Sequence, residues 1–315
     1  MRSLLETPEG LELGGTSRRA SILMSDLRGF SSISETLPPE RVVTLLNHYL
    51  GAMTDVISKH GGTIDEFIGD AILVIFGAPE PYQDHAARAV ACALDMQLAM
   101  EQVNAQNRHH GLPEVEMGIG INTGVVVVGN IGSHRRAKYG VVGRHVNLAS
   151  RIEAYTVGGQ VLISNSTVEA VGDCLRIHDH LQVCPKGSSE LMTLYDVTGI
   201  GGRYDLFLPE RVRRFTTLET SLPLRFAVLD GIHVPELKAQ GYIEQLSDNE
   251  VIVRSDDRVS LMDNIKMRLF DESDTPDPGD MYGKVVGLEE DAQSFRVRLS
   301  YVNSELKKGL TKRLG

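Results

Sequence analysis

The chain has 315 residues, 42% of them hydrophobic, and a formal net charge of −10, which suits two packed domains and excludes a fibrous or disordered polypeptide. That acidity is offset only by short clusters such as "HRRAK" and "KKGLTKR", so a nucleic-acid-binding protein is excluded and an anionic substrate has to be met by local cations or metals. Cys92, Cys174 and Cys184 show no C-x-x-C spacing, which excludes a zinc cluster, fits a reducing compartment and leaves them as small buried residues. No apolar run approaches the length of a bilayer span, and "MRSLLETPEGLELGG" is not a signal peptide. A soluble, cytoplasmic chain is expected. Its polar, Gly-rich leader over residues 1–18 also leaves room for an upstream sensor, as in the intracellular part of a longer membrane receptor.

"RRASILMSDLRGF" predicts a strand over Ser21 to Ser25 that ends at Asp26 and a Gly-containing turn. Residues 39–60 carry apolar side chains at helical spacing after a Pro that can open a helix. Then "GGTIDEFIGDAILVIFGAP" reads as a hairpin, Thr63 to Ile68 and Ala71 to Phe76, around Gly69-Asp70. "AILVIF" is apolar on both faces and belongs in the centre of a sheet. Taken locally Asp70 is an ordinary turn residue, and only partners elsewhere change that. A helix over about Asp84 to Asn107 precedes a second predicted hairpin in "EVEMGIGINTGVVVVGNIG", and "GRHVNLASRIEAYT" is a helix with Asn147 and Arg151 four apart on one face. Further strands run through "QVLIS", "LRIHDHLQVC" and "LMTLYDV".

The order is βαββαβ, an α+β ferredoxin-like sandwich. In that topology the first strand and the hairpin lie side by side, so Asp26 and Asp70 meet at one sheet end. Two facing carboxylates repel unless a cation bridges them, and a hard divalent ion binds through one or two carboxylates plus phosphate oxygens. Backbone N–H groups of "DLRGF", at Arg28, Gly29 and Phe30, offer a cradle for a polyphosphate.

Five collinear segments, "ILMSDLRGFSSISE", "HGGTIDEFIGDAILVIFGAP", "MGIGINTGVVVVGNIG", "YGVVGRHVNLASRIE" and "PKGSSELMTLYDV", resemble the class III nucleotidyl cyclases, the adenylyl and guanylyl cyclase catalytic domains. The resemblance covers roughly Arg18 to Ile200. It implies that Asp26 and Asp70, with the Leu27 carbonyl, bind two ions of Mg²⁺ or Mn²⁺ per active site. Asn147 then orients the ribose, Arg151 stabilises the transition state, and Lys186 in "CPKG" binds the triphosphate. It further implies a head-to-tail homodimer in which the metal residues of one subunit face the Asn and Arg of the other.

Glu66 stands where the resemblance places a base-reading residue, Lys in adenylyl and Glu in guanylyl enzymes. A carboxylate accepts from guanine N1–H and the 2-amino group, whereas adenine N1 wants a donor, so GTP is favoured over ATP. Asp65 is expected on the opposite strand face, solvated. Gly140 occupies a second base-reading position and has no side chain to contribute, which keeps adenylyl and pyrimidine nucleotide cyclases as alternatives. Arg144 departs from the acidic residue of "GDxVN", with a disturbed helix start or a partner contact as its expected consequences.

"GGTIDEF" lacks the contiguous GGDEF string of diguanylate cyclases, "GNIGSH" reads as a loop, and no Walker A sequence is present. His178 and His180 alternate on one strand face without a third ligand, as a surface pair does. After a linker over 201–222, six short strands between 223 and 315 form a small β-barrel. The barrel resembles PilZ domains, which bind cyclic di-GMP, but Arg211, Arg213 and Arg214 lack the R-x-x-x-R spacing and "QLSDNE" lacks the D/N-x-S-x-x-G pattern. A degenerate sensor or dimer-stabilising barrel is expected ahead of a cyclic di-GMP receptor. For the whole chain, 1–18 is leader, 19–200 the cyclase domain and 223–315 the barrel. The expected activity is conversion of a nucleoside triphosphate, GTP first, to its 3′,5′-cyclic monophosphate. A catalytically silent nucleotide-binding scaffold is the non-enzymatic alternative.

Overall fold

A computed structural model describes residues 13–133, 135–184, 191–210, 214–229, 236–271, 275–277, 279–289, 293–303, 306 and 309–310. The chain divides into two compact units, the first made of residues 1–30 and 36–209 and the second of 31–35 and 210–315. Up to Pro209 the elements are, in order, β1 (Gly14–Leu27), α1 (Phe30–Thr36, whose residues 31–35 group with the second unit), α2 (Pro39–Lys59), β2 (Thr63–Ile68), β3 (Ala71–Phe76), α3 (His85–His109), β4 (Met117–Ser133) and β5 (Arg136–Val142). They continue with α4 (Arg144–Ala154), β6 (Val161–Ser164), α5 (Asn165–Val171), β7 (Leu175–Val183), β8 (Met192–Ile200) and β9 (Leu206–Phe207). These strands make one sheet in the order β2-β3-β1-β4-β6-β8-β7, with β5 added along β4 and β9 along β8.

The alternation along β1 shows how the layers are built. Ser21 and Ser25 face α2 and α3, bonding His85 Nδ1 at 2.9 Å and the Tyr49 hydroxyl at 3.2 Å. Ala20 and Ile22 point the other way and pack with Ala149 of α4, as the two-residue period of a strand requires. With both faces covered, all six residues of β3 are buried. Helix α2 follows Pro38-Pro39 and buries Leu45, Tyr49, Met53 and Ile57 at four-residue spacing.

Two expectations fail here for one reason. No hairpin interrupts residues 114–132; β4 is a single 17-residue strand that takes in the stretch read as a "GNIGSH" loop up to Ser133, and its return partner is β5. The glycines that resemble turn signals serve close approach instead. A Cβ at Gly120 would lie 2.2 Å from the Glu153 backbone nitrogen, and one at Gly124 would lie 2.3 Å from the His145 ring. Helix α4 thus rests on β4 backbone to backbone at Gly120, while at Gly124 the missing side chain makes room for the His145 ring. Strand β1 also starts at Gly14, inside the segment read as leader. Of the cysteines only Cys92 is buried; Cys174 and Cys184 are exposed.

In the second unit β10 (Thr216–Val228), β11 (Ala239–Leu246), β12 (Glu250–Arg254), β13 (Asn264–Leu269), β14 (Met281–Leu288) and β15 (Ser294–Val302) close into an antiparallel barrel in the order β10-β11-β12-β15-β14-β13. Alternate residues such as Val251, Val253, Ile265, Met267, Phe295 and Val297 fill it, and closure removes the exposed edges an open sheet would leave. "QLSDNE" makes the β11–β12 turn, where the Glu250 N–H donates to Ser247 Oγ at 3.0 Å. Strand β10 begins in the stretch read as linker; Arg211 and Arg213 lie outside the described residues, as does Lys186. No helix among the described residues is long and apolar enough to cross a membrane.

Backbone-level contact at Gly120 predicts that Gly120→Ala lowers the melting temperature by several degrees, given that overpacking costs about 1–3 kcal/mol. Gly51, inside α2, has open space around its missing Cβ. Gly51→Ala should therefore be neutral or stabilising, by up to about 1 kcal/mol. Thermal denaturation of both variants checks the pair.

Candidate active site

Strand β1 pairs with β3 on one side, Ser25 opposite Ile72, and with β4 on the other, Asp26 opposite Gly118. This brings Asp26, at the end of β1, beside Asp70, in the turn between β2 and β3. The two carboxyls share a hydrogen bond, and Asp70 Oδ2 also accepts from the Leu27 N–H at 3.2 Å. Burial, followed by the bond and the charge of Asp26, pushes the Asp70 carboxyl up to about 8. Burial and the neighbouring carboxyl thus both favour a proton on Asp70, in the place a cation would take.

The surroundings of this pair are ordered from both sides. Gly29, with a left-handed φ of +70°, turns the chain from β1 into α1, a conformation that favours glycine. Arg28 does not extend toward solvent: its guanidinium forms an ion pair with Glu153 in the last turn of α4, and both side chains are largely buried. Burial lowers its pKa while Asp26 and Asp70 act against that. The Arg28 N–H is also engaged, donating to the Glu116 carbonyl at 2.7 Å. The backbone cradle read from "DLRGF" is thus reduced to Gly29 and Phe30, because the Arg28 amide completes the junction between β1 and the segment before β4. Beneath the pair, fully buried Tyr49 bonds Ser25 and Met117 Sδ, and burial raises its hydroxyl pKa.

Asn147 and Arg151 are exposed on the face of α4 opposite the buried Ala149 and Ile152. Neither makes a hydrogen bond or ion pair with Asp26 or Asp70 among the described residues. The helix begins at Arg144, with Gly143 as its cap, so that arginine does not disturb its start. Beside it, Val125, Val127 and Val142 expose apolar side chains on β4 and β5.

Glu66 lies within edge strand β2 with its side chain 52% exposed, and its Oε2 is 3.0 Å from Lys138 Nζ on β5. Asp65 overturns its expected placement: its side chain is only 5% exposed, and Lys138 lies 3.7 Å from its Oδ2. The pairing of β2 with β3 skips a residue, Ile64 opposite Val74 and Glu66 opposite Leu73, so Asp65 is the extra residue of a β-bulge. A bulge breaks the alternation of faces, which lets adjacent acids reach one lysine. Burial raises the Asp65 carboxyl pKa, opposed by Lys138. A Cβ at Gly140 would sit 3.0 Å from Asp65 Oδ1 and 3.7 Å from Lys138 Cε. Lys138 and Glu153 were not singled out by sequence patterning, and Asp65 was read only as solvated. For Lys138 the signal is its position two residues before Gly140 on one strand, whereas Glu153 is far from Arg28 in sequence and gives none.

The donor set suits a hard divalent cation: two carboxylates and the Leu27 carbonyl, all oxygen. No cluster of three or more His, Cys, Asp or Glu ligands occurs among the described residues, so substrate oxygens would have to complete the coordination. His178 and His180 are exposed on β7.

The family model for the Adenylate and Guanylate cyclase catalytic domain matches residues 15–196. Adenylate cyclase 1 of Rhizobium meliloti (strain 1021) is 34% identical over 200 residues, covering 61% of this chain and 30% of that protein. The chain spans about a third of the length of the curated relatives it matches. Among solved structures, the guanylyl cyclase Cya2 is 58% identical with a TM-score of 0.61, covering 62% of this chain and 100% of that one. The adenylyl cyclase CyaB from P. aeruginosa is 38% identical with a TM-score of 0.58, again covering 62% and 100%. Through its first unit the chain belongs to the class III adenylate and guanylate cyclase family.

Proposed function

We propose that the chain converts GTP to 3′,5′-cyclic GMP and pyrophosphate at two sites shared between the subunits of a homodimer. The observation that carries the choice of base is Glu66, a half-exposed carboxylate on edge strand β2 whose Oε2 lies 3.0 Å from Lys138 Nζ, suited to the two donors of guanine. The 58% identity to a guanylyl cyclase supports it; the adenylate cyclases among the relatives make cyclic AMP the second reading.

In the reaction the ribose 3′-oxygen forms a bond to the α-phosphorus, the bond from that phosphorus to the pyrophosphate oxygen breaks, and the hydroxyl proton is lost. Asp26, Asp70 and the Leu27 carbonyl would hold Mg²⁺ or Mn²⁺, two ions per site, which when bound neutralise phosphate charge and acidify the hydroxyl. Gly29 and Phe30 offer amides to the phosphates. Lys186 is assigned to the triphosphate from sequence alone. Asn147 orients the ribose, and Arg151 sets positive charge against the phosphorus as negative charge develops there. Because Asn147 and Arg151 point away from their own sheet, a second copy is the natural source of the carboxylates they face. The exposed valines of β4 and β5 give that copy an apolar surface. The experiment that tests the reading is product identification with each of the four NTPs and either metal.

Sharing predicts that Asp26→Ala and Arg151→Ala are each nearly inactive and regain activity when mixed, since one composite site of the heterodimer is intact. Verified heterodimers without recovery would count against a shared site.

The Asp70 carboxyl takes its proton near 8 when folded and near 3.9 when unfolded. Between those values the native state holds more protons, so metal-free stability should fall as pH rises from about 4 to about 8. Asp70→Asn should flatten that slope in EDTA while abolishing turnover. Melting curves across the window decide it, and an unchanged slope would return Asp70 to an ordinary turn residue.

Glu66→Lys should lower kcat/KM for GTP and raise the ATP-to-GTP ratio about ten- to a hundredfold, from the roughly 1.5–3 kcal/mol of a charged hydrogen bond. Equal loss with both nucleotides would make Glu66 structural and leave the base unassigned.

A further inference from the structure

We infer that Lys138 is the second base-reading residue of this chain, donating to guanine O6 beside the carboxylate of Glu66, with Asp65 as the residue that positions it over Gly140. The inference rests on the reading that Glu66 faces guanine.

Glu66 satisfies only part of the guanine edge. N1–H and the 2-amino group are donors, but O6, next to N1, is an acceptor that a carboxylate repels. A complete partner therefore places a cationic or neutral donor immediately beside the carboxylate. Gly140 supplies no side chain, yet the space it leaves is not empty. Lys138 lies two residues earlier on β5, on the same strand face, and its Cε approaches to 3.7 Å from where a Cβ at 140 would be. Its ammonium sits 3.0 Å from Glu66 Oε2, so donor and acceptor already stand side by side at the spacing that adjacent atoms of one base edge demand. Lysine to guanine O6 is a recurrent specific contact in nucleic-acid recognition, on the same chemistry. With Glu66 and Lys138 both half-exposed, the pair is open to a ligand.

Asp65 explains why the lysine stays there. Its carboxylate, brought round by the bulge and 5% exposed, lies within 3.7 Å of the ammonium. When Glu66 turns to the base, Asp65 remains as the counter-charge. Adenine meets the reverse pattern at both atoms: its 6-amino group faces an ammonium and its unprotonated N1 faces a carboxylate. Lys138 therefore acts against ATP as well as for GTP.

The test compares kcat/KM for GTP, ITP and ATP in wild type, Lys138→Met, Lys138→Arg and Asp65→Asn, using the full chain. ITP keeps O6 and N1–H but lacks the 2-amino group. Lys138→Met should cut the GTP-to-ATP and ITP-to-ATP ratios about tenfold or more, as loss of a charge-assisted hydrogen bond does. Lys138→Arg should restore much of both, and Asp65→Asn should weaken the preference mainly through KM. A Lys138→Met variant that loses activity equally with all three nucleotides, or keeps the wild-type ratios, overturns the inference. If Glu66→Lys removes a GTP preference that Lys138→Met leaves intact, only Lys138 is displaced. A wild type that prefers ATP removes the Glu66 reading and this inference together.

Discussion

Two carboxylates held within hydrogen-bonding reach at the end of a sheet are the constraint on which the first unit depends. Left alone they repel, and each would turn to solvent if its backbone allowed. It does not, because β1 is paired on both sides and Asp70 is caught in a two-residue turn whose second strand is buried on both faces. Arg28, drawn inward by Glu153, adds positive charge close to the pair without occupying it. Tyr49 fills the space below. The sheet therefore fixes two carboxyls at one point, where a proton or a cation can bridge them.

The proposed ribose and transition-state roles fall to α4, whose two faces differ. Ala149 and Ile152 go into the core, and the glycines of β4 let the helix settle against the strand, so packing rather than intrinsic helix propensity accounts for its stability. That leaves Asn147 and Arg151 exposed on the outside.

Much of this was legible in the sequence because it follows from short periodicities. The doubly apolar "AILVIF", the Gly-Asp turn and the four-residue spacing of Asn147 and Arg151 translate directly into β3, the β2–β3 turn and one face of α4. The six barrel strands were equally plain from alternation between turns. What escaped depended on non-local facts. Gly124 resembles a turn residue until the His145 ring appears above it, so one long strand was read as a hairpin. Asp65 resembles a solvated residue until the register with β3 is known, because the skip after Ile64 depends on the partner strand. Arg28 resembles a phosphate ligand through its backbone N–H until the Glu116 carbonyl, 88 positions later, accepts from it.

The close seating of α4 on β4 carries a consequence for control. A helix whose backbone rests on a strand at Gly120, and whose His145 ring sits over Gly124, cannot move closer to its sheet or take a side chain at either point without a clash. Its exposed polar face behaves as a fixed die, cut to one shape. In an assembly where that die meets carboxylates from a second copy, nothing inside either copy is left to adjust. Rate is then set by the angle at which two rigid bodies are presented to each other, and any signal that reaches the site has to arrive as torque.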